Sequence, residues 1–249
     1  MSIYVIAHKE FEQPKIDGYK SLIVGNGKSH SFGDCFDNVG ENISYKNENY
    51  CELTGMYWIW KNCKDDYVGI CHYRRYFSKS LCIDRIATEN EFLCKLRKYD
   101  IIVPFARKLK MTVREQYCRN SGNEKDLDIV RNTLLKKYPD YVNDFDEVME
   151  GKTVYFFNML VTKKELYDNY CEWLFDILFD VEKQIDLSKY NLYQKRVFGF
   201  LGERLLNIWV RHNQLEIFEM GVVNTQEQWT LWKRMTTGVK RMLMYYLQF

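Results

Sequence analysis

Proline stands at only three of 249 positions, so no segment reads as a rigid proline-punctuated linker and continuous elements are expected. Charge of one sign is also lacking: the formal net charge is +2, which argues against a nucleic-acid binder. No stretch approaches the ~20 apolar residues that a membrane-spanning helix needs. Residues 1–7 are apolar but short and run into His8-Lys9-Glu10, so no secretory leader is expected and any membrane contact would be peripheral. Eight cysteines occur, at 35, 51, 63, 71, 82, 94, 118 and 171. None has the C-x-x-C spacing of a zinc knuckle or redox pair, and reduced, buried thiols in a reducing cytosol are the expectation.

What is present is an ordinary globular composition with many rings: 46% hydrophobic, 28% charged and 16% aromatic. Residues 3–7 and 21–24 read as short buried strands, with a long polar loop over 25–46. Asn49 and Glu52 have capping-box spacing ahead of a helix to about residue 62. The run Tyr67-Val68-Gly69-Ile70-Cys71-His72 reads as a strand, residues 88–98 as a helix, and 100–103 as a strand stopped by Pro104. Residues 111–150 are polar and helical, broken at Ser121-Gly122 and Pro139, and read as an insertion of two or three helices. A kinked strand or strand pair follows over 153–161. Thr162/Glu165 and Asn191/Gln194 then suggest two more capping boxes opening long helices, and 215–218 a late strand. Strands alternating with helices predict an α/β domain with a mainly parallel sheet flanked by helices. The domain is expected over 1–218, followed by a basic, aromatic amphipathic helical segment over 219–249. That segment carries Lys233, Arg234, Lys240 and Arg241 among Trp229, Trp232 and Tyr245; it suits either docking on the domain or an anionic membrane face.

Candidate chemistry concentrates at strand ends. His72-Tyr73-Arg74-Arg75 follows an apolar strand, and in open α/β sheets the carboxyl edge binds ligands. Two adjacent guanidiniums suit a diphosphate, whose charge grows as it leaves; pairing with surface acids is the other reading. Asn158 interrupts an apolar run and must satisfy its amide in some way. Tyr193, Arg196, Phe200 and Glu203 share one helical side, able to line a cleft or to form an internal Arg196–Glu203 brace. The acid-x-acid triplets Asp126-Leu127-Asp128 and Asp144-Phe145-Asp146 fall in the polar insertion and read as solvated helix residues. No metal-ligand set is therefore assigned, arginine is expected to serve where metal would, and a requirement for Mn2+ or Mg2+ stays open.

Several segments together resemble a known family. They are Ile3-Tyr4-Val5-Ile6-Ala7-His8-Lys9, Asp37-Asn38-Val39-Gly40-Glu41-Asn42-Ile43-Ser44, Tyr50-Cys51-Glu52-Leu53-Thr54, and Tyr67 through Phe77 with its H-Y-R-R core. Phe157-Asn158-Met159 and Gly199-Phe200-Leu201-Gly202-Glu203-Arg204-Leu205 follow. The chain is similar in these to the glycosyltransferase-like proteins of bacterial capsule, exopolysaccharide and O-antigen gene clusters, long catalogued as a domain of unknown function. The resemblance covers roughly residues 3 to 212. It implies a GT-A-like (Rossmann-like) fold and sugar transfer from a nucleotide diphosphate sugar; some relatives are galactofuranosyltransferases. The expected donor is a UDP-sugar, the expected acceptor a polyprenyl-diphosphate-linked glycan, and the expected location the cytoplasm, at the inner face of the plasma membrane. On this reading His8, Asp37, Asn38, His72, Arg74 and Arg75 bind the donor, while Asn158, Gln194 and Arg196 shape the sugar and acceptor site. Glu203, then Glu52, are the candidates for catalytic base. A non-catalytic assembly partner with the same fold is the rival reading.

Overall fold

The computed structural model describes residues 1–25, 32–79 and 85–226. It is built on strand β1, Ser2–Ala7, all of whose residues are buried. Alternate side chains feed two cores: Tyr4 and Ile6 enter one, and Ile3, Val5 and Ala7 the other. A strand covered on both faces reads as an unbroken apolar run. Beside it lie β2, Tyr19–Ile23, and β3, Cys35–Phe36, then helices α1, Asn47–Tyr50, and α2, Leu53–Asn62. β4, Tyr67–His72, and β5, Arg75–Phe77, follow, then α3, Glu89–Leu96, and β6, Ile101–Pro104.

β7, Arg107–Lys108, comes next, and the segment 111–150 then holds three helices: α4, Val113–Asn120, α5, Glu124–Lys137, and α6, Val142–Glu150. β8, Thr153–Val154, β9, Val161–Lys163, α7, Lys164–Glu182, α8, Val197–His212, β10, Ile217–Met220, and β11, Val222–Asn224, complete the described chain. The sheet runs β10-β6-β9-β4-β1-β2-β3, with β5 and β11 paired off the end of β4. The pairs β1–β2, β1–β4, β2–β3 and β6–β10 are parallel; β9 runs antiparallel between β4 and β6, and β5 is antiparallel to both β4 and β11. The expected mainly parallel sheet is present, with two reversed strands, β9 and the short β5, that periodicity does not reveal.

Several local expectations change. Residues 153–161 are not one strand: between β8 and β9, Phe157 and Asn158 adopt left-handed φ of 85° and 50°, which throws the chain out of extended geometry. The Asn49–Glu52 box does not form. Asn49 sits inside α1 and donates from Nδ2 to the Lys195 carbonyl at 2.9 Å, and Cys51 at φ 52° breaks α1 from α2. Thr162 belongs to β9, its hydroxyl donating to the Asp100 carbonyl at 2.6 Å, and does not cap α7. The third box does form: Asn191 Oδ1 accepts from the amides of Tyr193 and Gln194, both at 2.9 Å, and Gln194 Oε1 accepts from Asn191 N at 3.3 Å.

The sheet also runs past residue 218, through β10 and β11. Residues 227–249, with the predicted basic helix, lie outside the described residues, as does Cys82. The other seven cysteines are free thiols, but only Cys63, Cys71 and Cys171 are buried; Cys94 and Cys118 are exposed. No helix among the described residues is long and apolar enough to cross a membrane.

Candidate active site

Because β1, β2 and β4 are mutually parallel, their carboxyl ends open on one edge. A cleft of about 860 Å3 lies there, a size suited to a nucleotide-sized ligand. His8 extends from β1 and Val24 from β2; His72 ends β4, Tyr73 and Arg74 form the turn after it, and Arg75 opens β5. The α1–α2 break adds Cys51 and Glu52, α4 adds Gln116 and Asn120, and Phe156 and Phe157 come from the turn before β9. Tyr193, Arg196, Phe200, Glu203 and Arg204 complete the wall.

Arg74 and Arg75 both face this cleft, and neither comes within ion-pair distance of a carboxylate among the described residues. The surface-pairing alternative finds no such partner among the described residues. The Nε of Arg74 is buried without a hydrogen-bond partner. Arg75 packs its guanidinium 4.6 Å from the centre of the Phe157 ring, where burial, then Arg74 and Arg107, push its pKa down. Crowded cations short of counter-charge make a receptor for a multivalent anion. His72 donates from Nε2 to the Phe157 carbonyl at 2.6 Å, and burial pushes its pKa down to about 4. It is therefore a neutral imidazole.

The left-handed Phe157–Asn158 turn is gripped by three cleft residues. His72 holds the Phe157 carbonyl, Glu203 Oε1 accepts from the Phe157 amide at 2.9 Å, and Glu52 Oε1 accepts from Asn158 Nδ2 at 2.8 Å. Such conformations persist where the surroundings over-determine them. Glu203 Oε2 also accepts from Arg204 at 2.8 Å. The fully buried Arg204 donates in turn to Gln116 Oε1 at 2.5 Å and to the Phe200 carbonyl at 3.0 Å. Burial raises the pKa of both Glu52 and Glu203; Arg204 opposes the shift at Glu203, and Glu52 adds to it. Arg196 does not brace Glu203: its Nε donates to Cys51 Sγ at 3.2 Å, and burial keeps that thiol protonated, its pKa pushed up to about 11.

Of the predicted donor residues, His8, His72, Arg74 and Arg75 meet in the cleft, with His8 edge-on to Tyr73 at 5.3 Å. Asp37 and Asn38 do not line it. Asp37 is buried and accepts from the Ser44 and Thr54 hydroxyls, both at 2.7 Å, fastening the loop after β3 to α2, while Asn38 is exposed. Of the acceptor set only Arg196 lines the cleft. Asn158 is fully buried behind Glu52, and Gln194 is engaged in its capping box. The triplets are not simply solvated either: Asp126 is fully buried and accepts from Tyr117 at 2.8 Å, from Asn123 N at 2.8 Å and from Tyr190. Asp146 is bidentate to Arg131. No group of three or more His, Cys, Asp and Glu arranged to hold a metal ion occurs among the described residues. Sequence reasoning missed Gln116, Asn120 and Ser121, which sit in a polar helix with no distinguishing pattern. Arg204 stood within the quoted G-F-L-G-E-R-L segment but drew no role.

The family model described as domain of unknown function DUF4422 matches residues 2–214. The chain belongs to that family. This DUF4422 member is also similar to a solved structure of WbbM, a bifunctional glycosyltransferase in its apo form. The TM-score is 0.83 at 29% identity, over 91% of this chain and 45% of the other. The chain thus spans under half the length of the protein it matches, and the fold is the GT-A-like α/β arrangement. Among curated proteins none matches.

Proposed function

We propose that the chain is a glycosyltransferase of surface polysaccharide synthesis, moving a hexosyl group from a nucleotide diphosphate sugar to a glycan acceptor. The observation that carries the reading is the pair Arg74 and Arg75, without carboxylate partners among the described residues, in a cleft at the carboxyl edge of β1, β2 and β4. Membership of DUF4422 and likeness to WbbM add support.

The diphosphate lies against the two guanidiniums, which balance the charge it gains as the bond to the sugar breaks. His8, Val24 and Asn47 line the nucleoside end, and the sugar rests toward Phe157, Glu52 and Glu203. Gln116, Asn120 and Ser121 face the acceptor, so the helical insertion contributes to acceptor choice. The donor is a UDP-sugar, with UDP-galactofuranose the first to test; the acceptor is a polyprenyl-diphosphate-linked glycan at the inner membrane face.

Calorimetric titration with UDP is the test. Micromolar binding that weakens with added salt supports the reading. Absence of UDP binding favours the non-catalytic assembly partner and ends it.

A further inference from the structure

Of the three carboxylates that line the cleft, Glu48 stands beside Asn47 at the nucleoside end; the two near the sugar position, Glu52 and Glu203, are not equivalent. Both Glu203 oxygens are engaged: Oε1 accepts from the Phe157 amide, and Oε2 from the buried Arg204 guanidinium. A carboxylate used in this way is committed to holding its neighbours, with neither oxygen left open to an acceptor hydroxyl. Glu52 differs. One side-chain donor reaches it, the Asn158 amide on Oε1; its own peptide N–H is the other donor, and no side chain donates to Oε2 among the described residues. Its backbone is set by the left-handed Cys51 just before it, so that it faces the cleft where α2 begins.

We propose that Glu52 is the general base that deprotonates the acceptor hydroxyl, that Glu203 is a positioning residue, and that transfer therefore inverts the anomeric centre. The inference rests on the glycosyltransferase reading above. In the step, the acceptor oxygen bonds to the anomeric carbon while its proton passes to Glu52 Oε2. The bond from the anomeric carbon to the diphosphate oxygen breaks, and its electron pair leaves with the nucleoside diphosphate against Arg74 and Arg75. Glu52 then returns its proton to water.

The charged and titratable groups around Glu52 agree with this task. Burial disfavours its ionised form most, and Glu203, from α8, adds to that; the Asn158 amide, its own peptide N–H, Arg196, ahead of α8, and Arg75, from β5, favour it, while neighbouring Cys51 stays a neutral thiol. A base held above the usual carboxylate range takes a hydroxyl proton more readily than an exposed glutamate.

The experiment uses the full chain with UDP-galactofuranose as probe, octyl galactoside or water as acceptor, and UDP release as readout. UDP affinity is measured in parallel by calorimetry. Glu52→Gln should lower turnover about 100- to 10,000-fold, leave UDP affinity within about threefold, and abolish the acid limb of the pH–rate profile. Glu203→Gln should retain that limb whatever its turnover. The released sugar or product should have the anomeric configuration opposite to the donor's.

Retention of configuration, a sugar-bound Glu52 in the mass spectrum, or full turnover by Glu52→Gln would overturn the assignment. So would loss of the acid limb in Glu203→Gln but not in Glu52→Gln. UDP binding with any of these results sinks the base and spares the donor site. Wild-type protein that neither binds UDP nor turns over the probe ends both.

Discussion

Replacing Arg75 by alanine should weaken UDP binding without unfolding the protein. Among the described residues the native guanidinium has no carboxylate partner within ion-pair distance, and it is held 4.6 Å from the Phe157 ring centre beside Arg74 and Arg107. A hydrogen bond to a charged group contributes about 1.5–3 kcal/mol. At ~1.4 kcal/mol per decade, its loss raises the dissociation constant about 10- to 150-fold. In the free protein the substitution removes a cation–π contact of about 0.5–1 kcal/mol but also relieves repulsion from the two neighbouring arginines. The melting temperature should therefore move by no more than about 4 °C.

The comparison with UMP isolates the diphosphate: UMP affinity should change several-fold less than UDP affinity in Arg75→Ala and Arg74→Ala alike. Since the two side chains are adjacent, the double variant should be non-additive. Calorimetry at two salt concentrations, with a thermal melt of each variant, is sufficient. UDP binding within twofold of native in both single variants, or equal losses for UDP and UMP, refutes the phosphate assignment.

Other outcomes follow from the same contacts. Asp126→Ala leaves the Tyr117 and Tyr190 hydroxyls without their buried acceptor and should cost about 2–4 kcal/mol, read as a lower denaturant midpoint. Gly69→Ala would place a Cβ 2.4 Å from Ile3 Cδ1 and should cost about 1–3 kcal/mol by overpacking the sheet. His72 has a depressed pKa, so its contribution is present above the ordinary histidine value of ~6.5 and lost as pH falls toward about 4. Native stability should accordingly drop by about 2–3 kcal/mol more than that of His72→Gln over that window, measured by urea unfolding at several pH values. Asn120→Ala should raise the acceptor KM while leaving UDP affinity unchanged, because its amide faces the cleft from the insertion.

The sheet was legible because burial on both faces writes itself as unbroken apolar runs: residues 3–7 and 67–72 carry that pattern and became β1 and β4. The guanidinium pair was legible for a related reason, since charge directly after such a run has to emerge at the strand's carboxyl edge. The reversal of β9 was not, because a three-residue strand has no directional signature. Capping-box spacing misled at Asn49 and Thr162, where a left-handed Cys51 and a ladder position in β9 took precedence over local propensity.

What the sequence determined by itself, then, was which segments are buried and which charges leave the sheet, because these depend on residues close in the chain. Which acid is held fast and which is left available was decided only by tertiary structure. Glu52 meets Asn158, and Glu203 meets Phe157 and Arg204, through a turn whose left-handed backbone exists because elements distant in sequence converge on it. The same holds for Asp37, expected to bind the donor, and Asp126, expected to be solvated: each is buried because hydroxyls from other elements arrive to satisfy it.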